Sequence, residues 1–184
     1  MTPARTAITA LASLLLAGAS GGASPGAAQA QSTLSETDET FITSAHQGNL
    51  AEIEAGQDAL RNATTECVKE VGETLVIDHR RLDDSLTALA GRLEVPLPDE
   101  PTPEQEKALA DLQPLAGTAE YDEQWLLTEE AAHEETLALI DEEINEGEDA
   151  EVIAAAEAAR PVIEMHLAMV EGGVCTAHPD EQGG

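Results

Sequence analysis

Aromatic side chains are almost absent from this sequence. Its 184 residues include one Trp, one Tyr and one Phe, or 2% of the chain, although 42% of the residues are hydrophobic. So few aromatic residues argue against an aromatic-rich β-sandwich, while the apolar content is sufficient for one core. The composition therefore predicts a single helical domain.

Basic residues are also scarce. The chain has 8 Lys and Arg against 37 Asp and Glu, and its formal net charge is −29. Nucleic acid and anionic membrane surfaces repel a chain of this charge, so neither is expected as a partner. The acidic residues show no EF-hand spacing, and we interpret them as a solvated surface on helix faces rather than as calcium ligands.

Long apolar runs are missing except at the start of the chain. Arg5 precedes an apolar run over residues 11–17, and the small-x-small sequence Ala28-Gln29-Ala30 follows. This pattern predicts a secretory signal peptide over residues 1–30, cleaved near Ala30. The run is too short and too rich in Gly and Ala for a membrane anchor, and no later segment qualifies. We expect a periplasmic or secreted mature chain with no membrane span.

Four long segments have apolar residues every three or four positions, which predicts helices. Capping residues, Gly and Pro place their ends at about 36–61, 65–93, 120–145 and 150–171, with a short helix at about 104–112. We expect the helical bundle to cover residues 31–174, followed by a flexible C-terminal tail over residues 175–184.

Three of the five histidines interrupt the apolar faces of predicted helices. His79, His133 and His166 each occupy a seam position, on three different helices. A single such histidine is usually a structural residue, but three on three seams favour a shared site. Glu52 on the first helix faces the same interior, where a carboxylate without a cation or donor would be costly to bury.

The two cysteines indicate how the helices are connected. Cys67 lies at the start of the second helix and Cys175 just past the fourth, and an isolated pair in an oxidising compartment usually forms a disulfide. In an up-down-up-down bundle these points would be roughly 35 to 40 Å apart, which is too far. They meet if residues 94–120 cross the length of the bundle. The sequence therefore predicts an all-α, ferritin-like four-helix bundle with a long crossover between helices 2 and 3.

This connectivity places the polar seam residues at one level of the bundle. Measured from the disulfide, they lie about 13 to 18 Å along their helices, at roughly 1.5 Å per residue. The residues at this level are Glu52, His79, His133 and His166. Glu130, one turn before His133, is a further possible ligand, and Asp78 is expected to orient an imidazole as a hydrogen-bond acceptor.

Five sequence blocks resemble successive motifs of a known family. They are FITSAHQGNLAEIEAG, TLVIDHRRLDDSLTALA, LAGTAEYDEQWL, EEAAHEETLALI and RPVIEMHLAMVE. The chain is similar here to exported bacterial proteins of unknown function, catalogued as predicted outer-membrane protein and described as ferritin-like four-helix bundles. The family motif positions correspond to Glu52, Asp78, His79, Tyr121, Asp122, His133 and His166. The resemblance implies a fold and supports a metal layer, but it implies no reaction.

The ligand types limit the chemistry. Three imidazoles with one or two carboxylates suit a single divalent ion such as zinc, copper, iron or manganese. Di-iron bundles need Glu-x-x-His on two helices, and here Val76 and Ile163 occupy places that would require Glu. Haem is disfavoured because Cys-x-x-Cys-His is missing, and serine hydrolysis because Gly-x-Ser-x-Gly is missing.

We therefore expect an exported bundle protein that binds a divalent transition metal in its core and takes part in envelope metal handling. The alternative is a structural or stress-related envelope protein in which the histidines and acids form a metal-free hydrogen-bond network. A redox enzyme is the third reading. The sequence identifies no reaction and no protein partner.

Overall fold

Four long helices and one short helix make up most of the structure, a computed structural model that describes residues 34–177. The helices are α1 (Glu36–Asn62), α2 (Glu66–Leu93), α3 (Pro103–Leu112), α4 (Ala119–Glu146) and α5 (Ala150–Val170). Within this part of the chain no strand is formed. The expected signal peptide and residues 178–184 of the expected tail lie outside the described residues.

Side chains that cap the helices define where they begin. Ser35 and Asp38 form a capping box at α1, in which Ser35 Oγ accepts the Asp38 N–H and Asp38 Oδ2 accepts the Ser35 N–H. Thr65, Thr118 and Asp149 accept backbone N–H groups in the first turns of α2, α4 and α5. The observed ends lie within about two residues of the predicted ones, because these caps are readable from sequence.

The connection between α2 and α4 crosses the bundle, as predicted. Cys67 at the start of α2 and Cys175 after α5 form a disulfide with a Cα–Cα distance of 6.2 Å. The end of α1 and the start of α4 lie at this same end, because Asp122 of α4 accepts hydrogen bonds from Thr64 and Thr65. The four-helix bundle with one long crossover, the connectivity of ferritin-like bundles, is therefore confirmed.

The hydrophobic core consists of two clusters. The first lies at the disulfide end and contains Val68, Val71, Leu75, Tyr121, Trp125, Met169 and Val170. The second lies at the opposite end and contains Phe41, Ile42, Leu86, Leu89, Ile140, Val152 and Ile163. On each of the four long helices, buried polar residues separate the two clusters. The polar site is thus a layer across the middle of the bundle.

Two glycines bring α1 and α2 together next to this layer. A Cβ atom on Gly56 would lie 2.5 Å from the Gly72 carbonyl oxygen, and one on Gly72 would lie 2.9 Å from the Gly56 carbonyl oxygen. Only glycine allows this approach of two backbones. Because Gly56 is one turn from Glu52 and Gly72 is two turns from His79, the contact sets the helix spacing at the site.

None of the described helices combines the length and the apolar character that a membrane span requires.

Candidate metal centre

Five buried side chains form a polar layer between the two apolar clusters. Glu52 comes from α1, His79 from α2, Glu129 and His133 from α4, and His166 from α5. The three imidazole rings approach one another closely, with centroid separations of 5.1 to 5.7 Å. Four helices thus contribute to one compact cluster of titratable groups.

Each imidazole uses one ring nitrogen for a hydrogen bond directed away from the centre of the layer. His79 Nδ1 lies 2.9 Å from Asn49 Oδ1, His133 Nδ1 lies 2.7 Å from the Glu129 carbonyl oxygen, and His166 Nε2 lies 3.2 Å from Asp78 Oδ2. All three partners are acceptors, so the ring nitrogens donate. The other nitrogen of each neutral ring must then carry a lone pair.

Within residues 34–177, these hydrogen bonds leave the second nitrogen of each imidazole unpaired. His79 Nε2, His133 Nε2 and His166 Nδ1 are buried and have no hydrogen-bond partner among the described residues. Ligand atoms of these three residues lie within 4.8 Å of one another, and so do those of Glu52, Glu129 and His133. Buried polar atoms are nearly always paired. Several unpaired ring nitrogens in one place are therefore explained best by a cation or a hydrogen-bond donor that binds between them.

Burial keeps the imidazoles of His79 and His166 in the neutral form that can bind metal. It lowers the pKa of His79 to about 3, an effect only partly offset by the charge of Glu52. Burial also lowers the pKa of His166, and the neighbouring His133 adds to this shift. The free ring nitrogens of His79 and His166 are therefore not protonated at neutral pH.

The pKa values of the two carboxyl groups of the layer are shifted in opposite directions. Burial, together with the charge of Glu52, raises the pKa of Glu129 well above its usual range. Burial also opposes ionisation of Glu52, but the attraction of His133 and a hydrogen bond from Glu129 outweigh it and lower the pKa of Glu52. Glu129 is thus the member of the pair that holds a proton more tightly, and it is placed to donate a hydrogen bond to Glu52.

The structure brings together four of the five ligands predicted from sequence. Glu52, His79, His133 and His166 meet in the layer, and Asp78 lies beside His166 at the layer's edge. Glu130 does not belong to it, because its Oε1 accepts the backbone N–H of Gly172 at 2.9 Å. The acid that α4 contributes to the layer is Glu129, which was not predicted from the sequence.

The error at Glu130 has a geometric cause. Residues three and four positions before His133 both lie near it on a helix, so spacing alone admits either. The buried face of α4 is shared by Trp125, Glu129 and His133, which recur at four-residue intervals. This four-residue spacing could have identified Glu129 from the sequence.

Asn49, one turn before Glu52, was also not predicted. Its hydrogen bond with His79 depends on how α1 and α2 pack together.

His46 is separate from the layer. Its Nδ1 lies 2.6 Å from Asp83 Oδ1 on α2, and its Nε2 lies 2.9 Å from the carbonyl oxygen of Pro98 in the crossover. Both ring nitrogens are engaged, so His46 offers no free lone pair to a metal. It links α1, α2 and the crossover instead.

Residues 23–172 match the family model described as "Domain of unknown function (DUF4142)". The chain belongs to this family. Membership confirms the predicted resemblance at the level of a helical family of unknown function. No curated protein matches the chain at a significant level.

A solved structure similar to this DUF4142 protein is the crystal structure of a DUF305 fragment from Deinococcus radiodurans. The TM-score is 0.67 at 16% sequence identity, and the match covers 76% of this chain and 95% of that chain. A likeness at this identity concerns the fold alone. It agrees with a helical bundle and transfers no activity.

Proposed function

We propose that this protein binds one divalent transition metal ion in the polar layer, through His79, His133, His166 and Glu52, with Glu129 as an additional ligand. The main support is that the three buried imidazoles each have a ring nitrogen that is unpaired among the described residues, and that they offer ligand atoms within 4.8 Å of one another. Each ring is also oriented by a hydrogen bond from its other nitrogen, as is usual for histidines that bind metal.

The donor set favours certain metals. Imidazole suits zinc, copper and iron, whereas manganese prefers sites dominated by oxygen ligands, so manganese is the weakest of the four expected ions. A divalent ion would also attract the Glu129 carboxylate and release the proton that Glu129 holds. Two carboxylates would then balance the charge of the ion inside the bundle.

We place this function in the periplasm or outside the cell, as part of envelope metal handling. The signal-peptide pattern at residues 1–30 supports export, and the Cys67–Cys175 disulfide fits an oxidising compartment. The crossover connectivity is compatible with the ferritin-like description of the family that the sequence resembles. No catalytic step is assigned.

Metal content and metal-dependent stability test the proposal. Protein purified from its own periplasm should contain about one ion per chain, and removing the ion should lower Tm. Re-addition at a hundred times Kd should stabilise the fold by about 2.7 kcal/mol. His79→Gln should abolish most of this gain and keep the helical fold, because glutamine is polar but a poor ligand.

His46→Gln is the matched control, since it makes the same substitution outside the layer. It should leave the metal content unchanged. Equal metal binding by His79→Gln and the parent, or a parent protein that takes up no ion, would contradict the proposal.

The alternative is a metal-free hydrogen-bond network with a structural role. One observation favours it, because Glu129 and Glu52 are hydrogen-bonded to each other, although Oε2 of each carboxyl group has no partner among the described residues. The network leaves the three imidazole nitrogens unpaired, however, and this gives metal binding the stronger support. Chelation that removes trace metal without changing Tm would favour the network.

A further inference from the structure

A large cavity adjoins the polar layer on the side away from the disulfide. Its volume is about 440 Å³, and α1, α2, α4, α5 and the start of α3 all contribute to its wall. Small-molecule sites typically have volumes of about 300 to 1,000 Å³. The cavity is therefore large enough for an organic ligand.

Small side chains create this space. Gly48, Ala132, Ala155 and Ala159 line the cavity at positions where larger residues would fill the bundle. Protein interiors are normally packed with few voids larger than a water molecule. The atoms that line this space lack van der Waals contacts that a filled interior would provide, and an apolar ligand would supply those contacts.

The wall is apolar along most of its area. Six larger hydrophobic residues surround the space, and they are Phe41, Leu82, Leu86, Leu139, Ile140 and Ile163. Hydrocarbon transferred from water to such a surface is stabilised in proportion to the area that is buried. The wall therefore fits an aliphatic or similarly apolar body.

The charged groups of the wall have one sign. Glu52 is buried at the inner end, whereas Glu104 and Glu135 are exposed and therefore belong to the rim. Among the lining residues in the described part of the chain there is no Lys or Arg. The whole protein is also strongly acidic. An anionic ligand would be repelled, and a cationic head group would find carboxylates at the opening.

We propose that this cavity binds a small amphiphilic cation, an aliphatic amine whose hydrocarbon body lies among Phe41, Leu86 and Ile163. The ammonium group lies against Glu104 and Glu135 at the rim. This inference goes beyond the proposed metal function, because neither the apolar wall nor the rim carboxylates require a bound ion.

Three probes of equal chain length test the proposal by titration calorimetry on the mature protein. They are n-octylamine, 1-octanol and octanoate, and the amine is protonated at neutral pH. Octylamine should bind once per chain, about tenfold more tightly than octanol, as expected for two partly screened ion pairs. Octanoate should bind most weakly. The result should be the same with a chelator present, which separates this proposal from the metal proposal.

Two neighbouring alanines on α5 provide a matched pair of variants. Ala155 lines the cavity, whereas Ala154 is exposed and does not. Ala155→Leu should abolish octylamine binding by filling the space, and Ala154→Leu should leave it unchanged. Equal binding by Ala155→Leu and the parent would overturn the proposal, because it would show attraction to the acidic surface only.

The head-group contact has its own variant, which leaves the packing of the wall intact. Glu104→Gln combined with Glu135→Gln should weaken octylamine binding by about tenfold and leave octanol binding unchanged. This variant keeps the test decisive if Ala155→Leu fails to fold. Octanoate binding as tight as octylamine, no difference between amine and alcohol, or no binding of any probe would each contradict the proposal.

Discussion

At the scale of single residues, the proposed metal site can be tested by comparing Glu129, which lies in the layer, with Glu130, which does not. Glu129→Gln keeps a neutral hydrogen-bond donor beside Glu52 but removes a potential ligand. We expect it to weaken zinc binding by about 10- to 100-fold, the usual cost of a lost supporting group at a metal site. Metal-free Tm should change little.

Glu130→Gln is the control, because the Glu130 side chain is directed to the backbone of Gly172. Zinc affinity of this variant should equal that of the parent in competitive titration. Equal losses in the two variants would show that Glu129 has no special relation to the ion.

Glu143, a buried acid outside the layer, is expected to make the stability of the protein depend on pH. The Glu143 side chain is fully buried. Within residues 34–177, no group donates a hydrogen bond to either of its carboxyl oxygens. Burial, the charge of Asp38 and the charge of Asp149 raise the pKa of Glu143 to about 7. Because the folded state holds this proton more tightly than the unfolded state, the contribution of Glu143 to stability is fully present below its unfolded pKa and is lost as the pH rises through about 7.

Glu143→Gln should remove this loss. The Tm of the variant should exceed that of the parent at pH 8, and the difference should shrink towards pH 5, as measured by thermal denaturation. Glu142→Gln, a substitution of the exposed neighbour, should not change the pH profile. A parent and a Glu143→Gln variant with parallel profiles would show that Glu143 ionises without cost.

At the scale of elements, the α1–α2 contact can be tested with two glycines. Gly56→Ala places a methyl group 2.5 Å from the Gly72 carbonyl oxygen and should destabilise the fold by about 1 to 3 kcal/mol. Gly91 also lies in α2, and no atom of the described residues lies within 4 Å of a Cβ added there. Gly91→Ala should therefore stabilise the fold by about 0.5 to 1 kcal/mol. Chemical denaturation should show opposite signs, and stabilisation by both would refute the close contact.

Helices and their connections were the most predictable part of this protein. Caps such as Ser35 and Thr65 mark helix starts, and the cysteine pair excludes the simple bundle topology. The histidines were predictable because each interrupts an apolar stripe. The position of Glu129 and the partnership of Asn49 with His79 were missed, because both depend on how helices are rotated against each other. The cavity was not predicted either, because it results from the volumes of many side chains on different helices and not from a single sequence motif.

At the scale of the whole molecule, the disulfide connects distant parts of the chain. Cys67 and Cys175 are 108 residues apart, so the bond restricts a long loop in the unfolded state. In the entropy model such a loop stabilises a protein by about 4 to 5 kcal/mol. Reduction, or the double change Cys67→Ser with Cys175→Ser, should lower the free energy of unfolding by up to that amount. Thiol titration of the denatured, unreduced chain should find no free thiol, and two free thiols would contradict the bond.

The division of the core by the polar layer has a consequence for how the bundle opens. At one end of the bundle, the disulfide links the start of α2 to the segment after α5, next to the first apolar cluster. The second apolar cluster has no such cross-link and borders the cavity. We therefore expect local opening to cost less free energy at the far end, and backbone amides there should exchange their hydrogens sooner. An ion in the layer would join all four long helices at the boundary, so that the two halves would unfold as one cooperative unit.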